Sequence, residues 1–215
     1  MTFTPFDFII LILILLFSVI IHEIAHGYAA LKMGDDTAEK MGRLTLNPLK
    51  HLDPIGSVLV PLFLVIMANI TGGGIIFGWA RPVPVNPYRF RDQKYGQAKV
   101  AMAGPAINLF IAAIFGALIR FAPFPPTLFF QNLTSVFALI VWINLLLGIF
   151  NLIPIPPLDG SHILFTFLPY STRDVKIFFH QYGFILLLVF IFFLFPLVIP
   201  LIGFLFKVLT GIQFF

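Results

Sequence analysis

Long apolar runs separated by short polar loops organise the chain. They lie at about Phe6 to Leu31, Ile55 to Ile70, Ala98 to Phe121, Leu133 to Phe150, Ile177 to Phe195 and Leu197 to Ile212. Several approach or exceed the roughly 20 residues that carry a helix across hydrocarbon. The second run is short and passes into Thr71-Gly72-Gly73-Gly74, then into Arg81-Pro82-Val83-Pro84-Val85-Asn86-Pro87. Glycine and proline at that density break a helix. The pattern predicts an all-α polytopic membrane protein with about five to six transmembrane segments and a re-entrant Gly/Pro-rich hairpin around residues 55–85. The last two runs, parted by little more than Pro196, read as a tight apolar hairpin.

Composition removes the soluble alternative. Of 215 residues, 60% are hydrophobic and only 10% charged, more apolar surface than one water-soluble core could bury. The net charge of +4 is spread over short loops and forms no stripe, so no nucleic-acid partner is expected. No polar tract or repeat is long enough for a second unit, and residues 1–215 read as one membrane domain. The first run lacks a basic leader and carries histidines in its C-terminal half, so it reads as a retained helix instead of a signal peptide.

Those histidines change the picture. His22, Glu23 and His26 form H-E-x-x-H inside the first run. Residues four apart share a helical face, so both imidazoles can reach one ion with Glu23 beside them. Ionisable groups at membrane depth cost roughly 2.5 kcal/mol or more each on insertion scales, so their presence calls for a role. With no cysteine in the chain, any further ligand is His, Asp or Glu. Asp159, in Pro157-Leu158-Asp159-Gly160 after the fourth run, is the best third ligand; it also reads as a helix N-cap after a proline-rich turn. His22, His26 and Asp159 would hold one Zn2+ per chain and leave a position for water, with Glu23 as general base. The reaction class is metal-assisted peptide hydrolysis.

The two halves of such a site must lie at one depth, so the first and fourth runs must cross in the same direction. That holds only if residues 55–85 leave and return on one side. Lys32, Lys40, Arg43, Lys50, Arg81, Arg89, Arg91, Lys94, Lys99, Arg173 and Lys176 then face one side, with Arg120 the exception. Basic loops favour the cytoplasm, which orients the active site towards the cytoplasmic leaflet, the N-terminus outside and the C-terminus inside.

H-E-x-x-H in one span and an Asn…Pro…Leu-Asp-Gly element closing a later one resemble the site-2 protease family of intramembrane zinc metalloproteases. Gly78-Trp79-Ala80-Arg81-Pro82-Val83-Pro84-Val85-Asn86-Pro87 and Ala103-Gly104-Pro105-Ala106-Ile107-Asn108 resemble further family elements, so the likeness covers most of residues 20 to 165. The resemblance implies His22, His26 and Asp159 as zinc ligands and Glu23 as the catalytic glutamate. The family's asparagine corresponds to Asn151, read either as a catalytic donor to an oxyanion or substrate backbone, or as a satisfied helix C-cap. It also implies single-span membrane-protein substrates, a prokaryotic cell membrane, and a minimal form without the PDZ or CBS regions of larger members.

Other polar residues read less sharply. Asn108 suits a hydrogen bond between helices, His162 a place beside the ligands or none, and His51 with Asp53 a loop. His180 reads as interfacial. The competing reading is a membrane transporter or channel using intramembrane His, Glu and Asp for ions or protons, but few acidic residues lie within the spans and no inverted repeat is visible.

Overall fold

The computed structural model describes residues 5–60, 63, 66, 67 and 80–213. Among them the elements are helical: α1 Pro5–Lys32, α2 Thr37–Lys40, α3 Gly96–Phe121, α4 Leu128–Asn151, α5 Asp159–Phe167, α6 Arg173–Val189 and α7 Ile199–Thr210. Four stretches are long and apolar enough to cross a membrane, namely Phe8–Lys32, Gly96–Phe121, Leu128–Asn151 and Arg173–Leu197. Large apolar side chains such as Phe110, Phe184 and Phe193 remain mostly exposed, as a lipid-facing surface requires. The protein is a multi-pass helical membrane protein.

Three long helices build the centre. His26 on α1 meets Val100 of α3, while Ser18 of α1 meets Asn108, so the two helices run antiparallel. Ser18 also bonds Asn144 on α4, and Gly148 abuts Pro105, so α4 is antiparallel to α3 and parallel to α1. This is the relation that a site shared between the first helix and the end of a later one demands.

The turn out of α1 has a local cause. Gly34 adopts φ +104, a left-handed conformation that a side chain would strain. The Asp35 N–H reaches back to Ala30 O at 2.9 Å and the Gly34 N–H to Leu31 O at 3.0 Å, closing a Schellman cap. Asn47-Pro48 and Asn86-Pro87 then each start a 3-10 turn, the asparagine accepting from the N–H two residues on.

Residues 33–95 begin and end at one end of the bundle. The Arg91 N–H donates to Met33 O at 2.7 Å, and the Arg81 N–H donates to His51 O at 2.8 Å. This stretch therefore makes no net crossing, although the expected hairpin at 55–85 lies largely outside the described residues. Its described start is a π-helical turn, Pro54–Leu59, capped by Asp53. Its described end, residues 80–86, is an irregular strap that reaches Asn86 in an extended conformation.

The C-terminal part differs from the tight hairpin the sequence suggests. α6 continues through a π-helical turn, Phe190–Leu194, and a 3-10 turn, Phe195–Leu197, into α7. α7 packs on α3 and α4 instead of folding back on α6. Phe150 at the site end of α4 touches Phe195, whereas Gly116 near the end of α3 abuts Leu209. Arg120 donates to Val208 O at that far end. α7 thus ends beside the end of α3, away from the metal-competent cluster, and the expected C-terminus on the site's side is corrected. Pro196 and Pro200 bend the path without reversing it, and hydropathy alone does not separate a bend from a reversal.

The apolar core lies between α3, α4 and α7, where Ala112, Val141, Ile202 and Phe206 are fully enclosed. Since lipid is as apolar as these side chains, dispersion from close packing holds this contact together.

Candidate metal centre

α1 places His22 and His26 one turn apart on the face turned towards α3. They are only 7% and 8% exposed, an expensive setting for imidazole unless each nitrogen is used. His22 Nδ1 lies 2.5 Å from Asn108 Oδ1, and His26 Nδ1 lies 2.8 Å from Val100 O. Both acceptors lack a proton, so each Nδ1 donates and each Nε2 keeps a free lone pair.

The two Nε2 atoms converge at 3.1 Å, and Asp159 Oδ2 completes a triangle at 3.1 Å and 3.2 Å from them. Ligand atoms bound about 2.0–2.1 Å from a tetrahedral ion stand about 3.3 Å apart, so this triangle needs little adjustment to accept one. Among the described residues, His22, His26 and Asp159 form the group that could hold a metal. His22 lies ten residues before the end of α1, roughly 15 Å of helix, so the cluster is well inside the span.

Glycines make the convergence possible. A Cβ on Gly104 would overlap His26 Nε2 and His22 Nε2, so only a glycine lets α3 lie across the imidazoles. A Cβ on Gly160 would overlap Leu152 O and Ile153 O, where the loop folds back over the start of α5. Asp159 is the first residue of α5, with Leu158 in the N-cap position, and its carboxylate faces the histidines. The simple N-cap reading of Asp159 is therefore replaced.

A buried network supports His22. Asn108 Nδ2 donates to Asn144 Oδ1 at 2.8 Å, and Asn144 Nδ2 donates to Ser18 Oγ at 2.9 Å. Asn108 and Asn144 are both 0% exposed, so their amides would be costly without these partners. The expected interhelical role of Asn108 holds, and the same amide also fixes the tautomer of His22. Asn144 and Ser18 were not singled out in the sequence; their signal was an uncharged polar side chain deep in an apolar run.

Glu23 takes a partner that residue spacing does not reveal. Its Oε2 accepts the Val83 N–H at 2.8 Å, tying the carboxylate to the strap. Upstream, buried Arg43 donates through Nη2 to Arg81 O at 2.7 Å and Pro82 O at 3.1 Å. Burial, then the neighbouring Arg81, pushes the Arg43 pKa down, while Glu23 opposes that shift. Downstream, Asp35 accepts the Asn86 N–H at 2.6 Å.

His22, Glu23, His26 and Asp159 line a cavity of about 360 Å³, together with Asn151, Gln97 and His162. Asn151 Nδ2 donates to Leu147 O at 2.9 Å, one turn back on its own helix. His162 Nδ1 lies 2.9 Å from Gln97 Nε2. His51 is buried elsewhere, with Nε2 at 2.8 Å from Thr45 O, and Asp53 caps the π-helical turn; neither joins the cluster. His180 packs on Phe165 and is exposed.

Comparison with known proteins now defines the class. Peptidase family M50 matches residues 126–194, which contain α4, the Asp159 loop, α5 and α6. YwhC of Bacillus subtilis, named for a zinc metalloprotease, is 41% identical over 183 residues, covering 83% of this chain and 78% of that protein. Rip2 of Mycolicibacterium smegmatis, named likewise, is 32% identical over 182 residues, covering 85% of this chain and 66% of that protein. The chain belongs to peptidase family M50, the site-2 protease family. No solved structure matches it.

Proposed function

We propose that this protein is an intramembrane zinc endopeptidase that hydrolyses peptide bonds within or near transmembrane segments of membrane-protein substrates. The observation that carries the reading is the triangle of His22 Nε2, His26 Nε2 and Asp159 Oδ2 beside Glu23, with both histidines and the glutamate on a helix that can span a bilayer. Two neutral imidazoles and one carboxylate suit zinc, and names shared by YwhC and Rip2 point the same way. Zinc, when bound, supplies Lewis acidity that polarises the scissile carbonyl and brings a water's pKa towards neutrality.

The chain's own groups do the rest. Glu23 accepts a proton from the attacking water and passes it to the leaving amine. The Val83 N–H holds one of its oxygens and leaves the other for that transfer. Asn108 and Val100 O hold the imidazoles in the ligating tautomer. Asn151, at the cavity wall, meets substrate backbone near the scissile bond.

A helical substrate buries its amides in its own hydrogen bonds, so it must be unwound before attack. We assign reception of the extended chain to residues Thr71 to Val85. Within the described end of that segment, Pro82 and Pro84 have no N–H and Val83 gives its own to Glu23. Among the described residues the Val85 N–H has no partner, and Val85 lines the same cavity as Val83. Pairing a substrate strand there satisfies backbone released within lipid. Val85→Pro should therefore raise KM roughly two- to tenfold for a single-span substrate and leave the metal content unchanged, the loss of one charge-free hydrogen bond being of order 1 kcal/mol. An unchanged KM would refute strand pairing.

The test of the function itself is chelation and restoration. Purified protein in a bilayer should lose cleavage of a single-span peptide with a zinc chelator and regain it with added Zn2+. Cleavage that persists at less than one metal per ten chains, an order-of-magnitude threshold on a cofactor the mechanism requires, would refute it.

A further inference from the structure

The geometry points to His162 as a further catalytic residue, its Nε2–H donating to the scissile carbonyl oxygen as that oxygen gains negative charge. The inference rests on the peptidase reading above and goes beyond it, since that reading gives His162 no part.

His162 stands one helical turn after Asp159 on α5, so both side chains can face the same cavity, and His162 does line it. Its orientation is fixed from outside the site. Gln97, on the first turn of α3, presents Nε2 to His162 Nδ1 at 2.9 Å. A carboxamide nitrogen only donates, so Nδ1 accepts and the ring proton resides on Nε2. Among the described residues that Nε2 has no protein partner. The cavity thus contains a donor whose tautomer is set and which has no partner among the described residues.

Hydrolysis creates a need for such a donor. As water adds to the carbonyl carbon, the C=O π pair moves to oxygen and Glu23 takes the water proton. When the C–N bond breaks, that pair returns and Glu23 gives its proton to the amine. Through both steps His162 donates a hydrogen bond and loses no proton. Asn151 already gives one Nδ2 N–H to Leu147 O, and His162 is the imidazole that lines the cavity outside the ligand triangle. Gln97 is then a positioning residue. The alternative is that the Gln97–His162 pair merely pins α3 to α5.

The experiment uses the full chain in bilayer nanodiscs with Zn2+, a single-span peptide, and a phosphonamidate peptide that mimics the tetrahedral geometry. His162→Ala should lower kcat about 10²- to 10³-fold, the usual loss on removing one oxyanion donor. KM should change less than about threefold, phosphonamidate affinity should fall by about the same factor as kcat/KM, and metal content and Tm should hold. His162→Gln, which restores an amide donor, should recover about tenfold or more, and Gln97→Leu should give a smaller loss than His162→Ala. A His162→Ala kcat within threefold of wild type would overturn the proposal, on the scale of a single donor. So would a joint fall of Tm and metal content in His162→Ala and Gln97→Leu without recovery in His162→Gln. Phosphonamidate affinity reports on the donor even if the single-span peptide is not cleaved, so failure here separates from failure of the peptidase reading.

Discussion

At the scale of single residues, the cluster obeys a rule that water would relax: each buried polar atom needs a named partner. His22 illustrates it, with Nδ1 bound to Asn108 and Nε2 left for metal. Asn108→Leu should weaken zinc binding about 10- to 100-fold, as loss of an outer hydrogen bond to a ligand commonly does, measured by competition with a chromogenic chelator. Gly104→Ala should be more severe. Its methyl group would occupy the space of both Nε2 atoms, and purified protein should carry well under half its zinc by elemental analysis, an order-of-magnitude expectation for an obstructed site. Zinc at the wild-type level would show that α3 can shift. The convergence of His22 and His26 with Asp159 was legible in the sequence because i, i+4 spacing and polar groups in an apolar run are both visible there. The Val83 bond to Glu23 was not, because its donor is main chain and carries no residue signature.

Helices and loops supply the alignment. α1 and α4 run parallel, and this was legible because a site divided between them admits no other arrangement. Antiparallel α3 provides the surface on which both rest, through Gly104 facing the imidazoles and Pro105 O facing Gly148. The strap adds what helices cannot, a main-chain N–H free to meet the Glu23 carboxylate. α7 is the element least legible in advance, since a bent continuation and a hairpin have the same hydropathy. Its Phe206 is fully buried and meets Trp142 at 6.0 Å between ring centroids. Phe206→Ala should destabilise the bundle by up to about 3–5 kcal/mol, the range for large-to-small core changes. Thermal unfolding in detergent should show the loss, while zinc content of the folded fraction stays at wild type. A fall in zinc with an unchanged midpoint would instead tie α7 to the site.

For the whole molecule, topology carries the prediction. Residues 33–95 start and finish at the site end, whereas the α3–α4 turn and the end of α7 lie together at the other. Single cysteines replacing Lys50 and Lys94 should react with an impermeant reagent from one side. Cysteines at Phe124 and Gly211 should react from the opposite side. Labelling of positions 50 and 94 from different sides would break the parallel relation of α1 and α4, and labelling of Gly211 with Lys94 would restore the hairpin. Basic residues concentrate at the site end, with Arg120 and Lys207 at the other, and on this asymmetry we propose that the site faces the cytoplasm.

The central claim joins these scales: three side chains hold a metal within the membrane, and Glu23 moves the proton. Zinc stoichiometry and single-span peptide cleavage, measured together on wild type and Glu23→Gln, test it most directly. The account predicts about one zinc per chain in both proteins, and a kcat lower by about 10²-fold or more in Glu23→Gln, the scale of lost general-base catalysis. Equal cleavage by the two proteins, or cleavage by protein without metal, would contradict it.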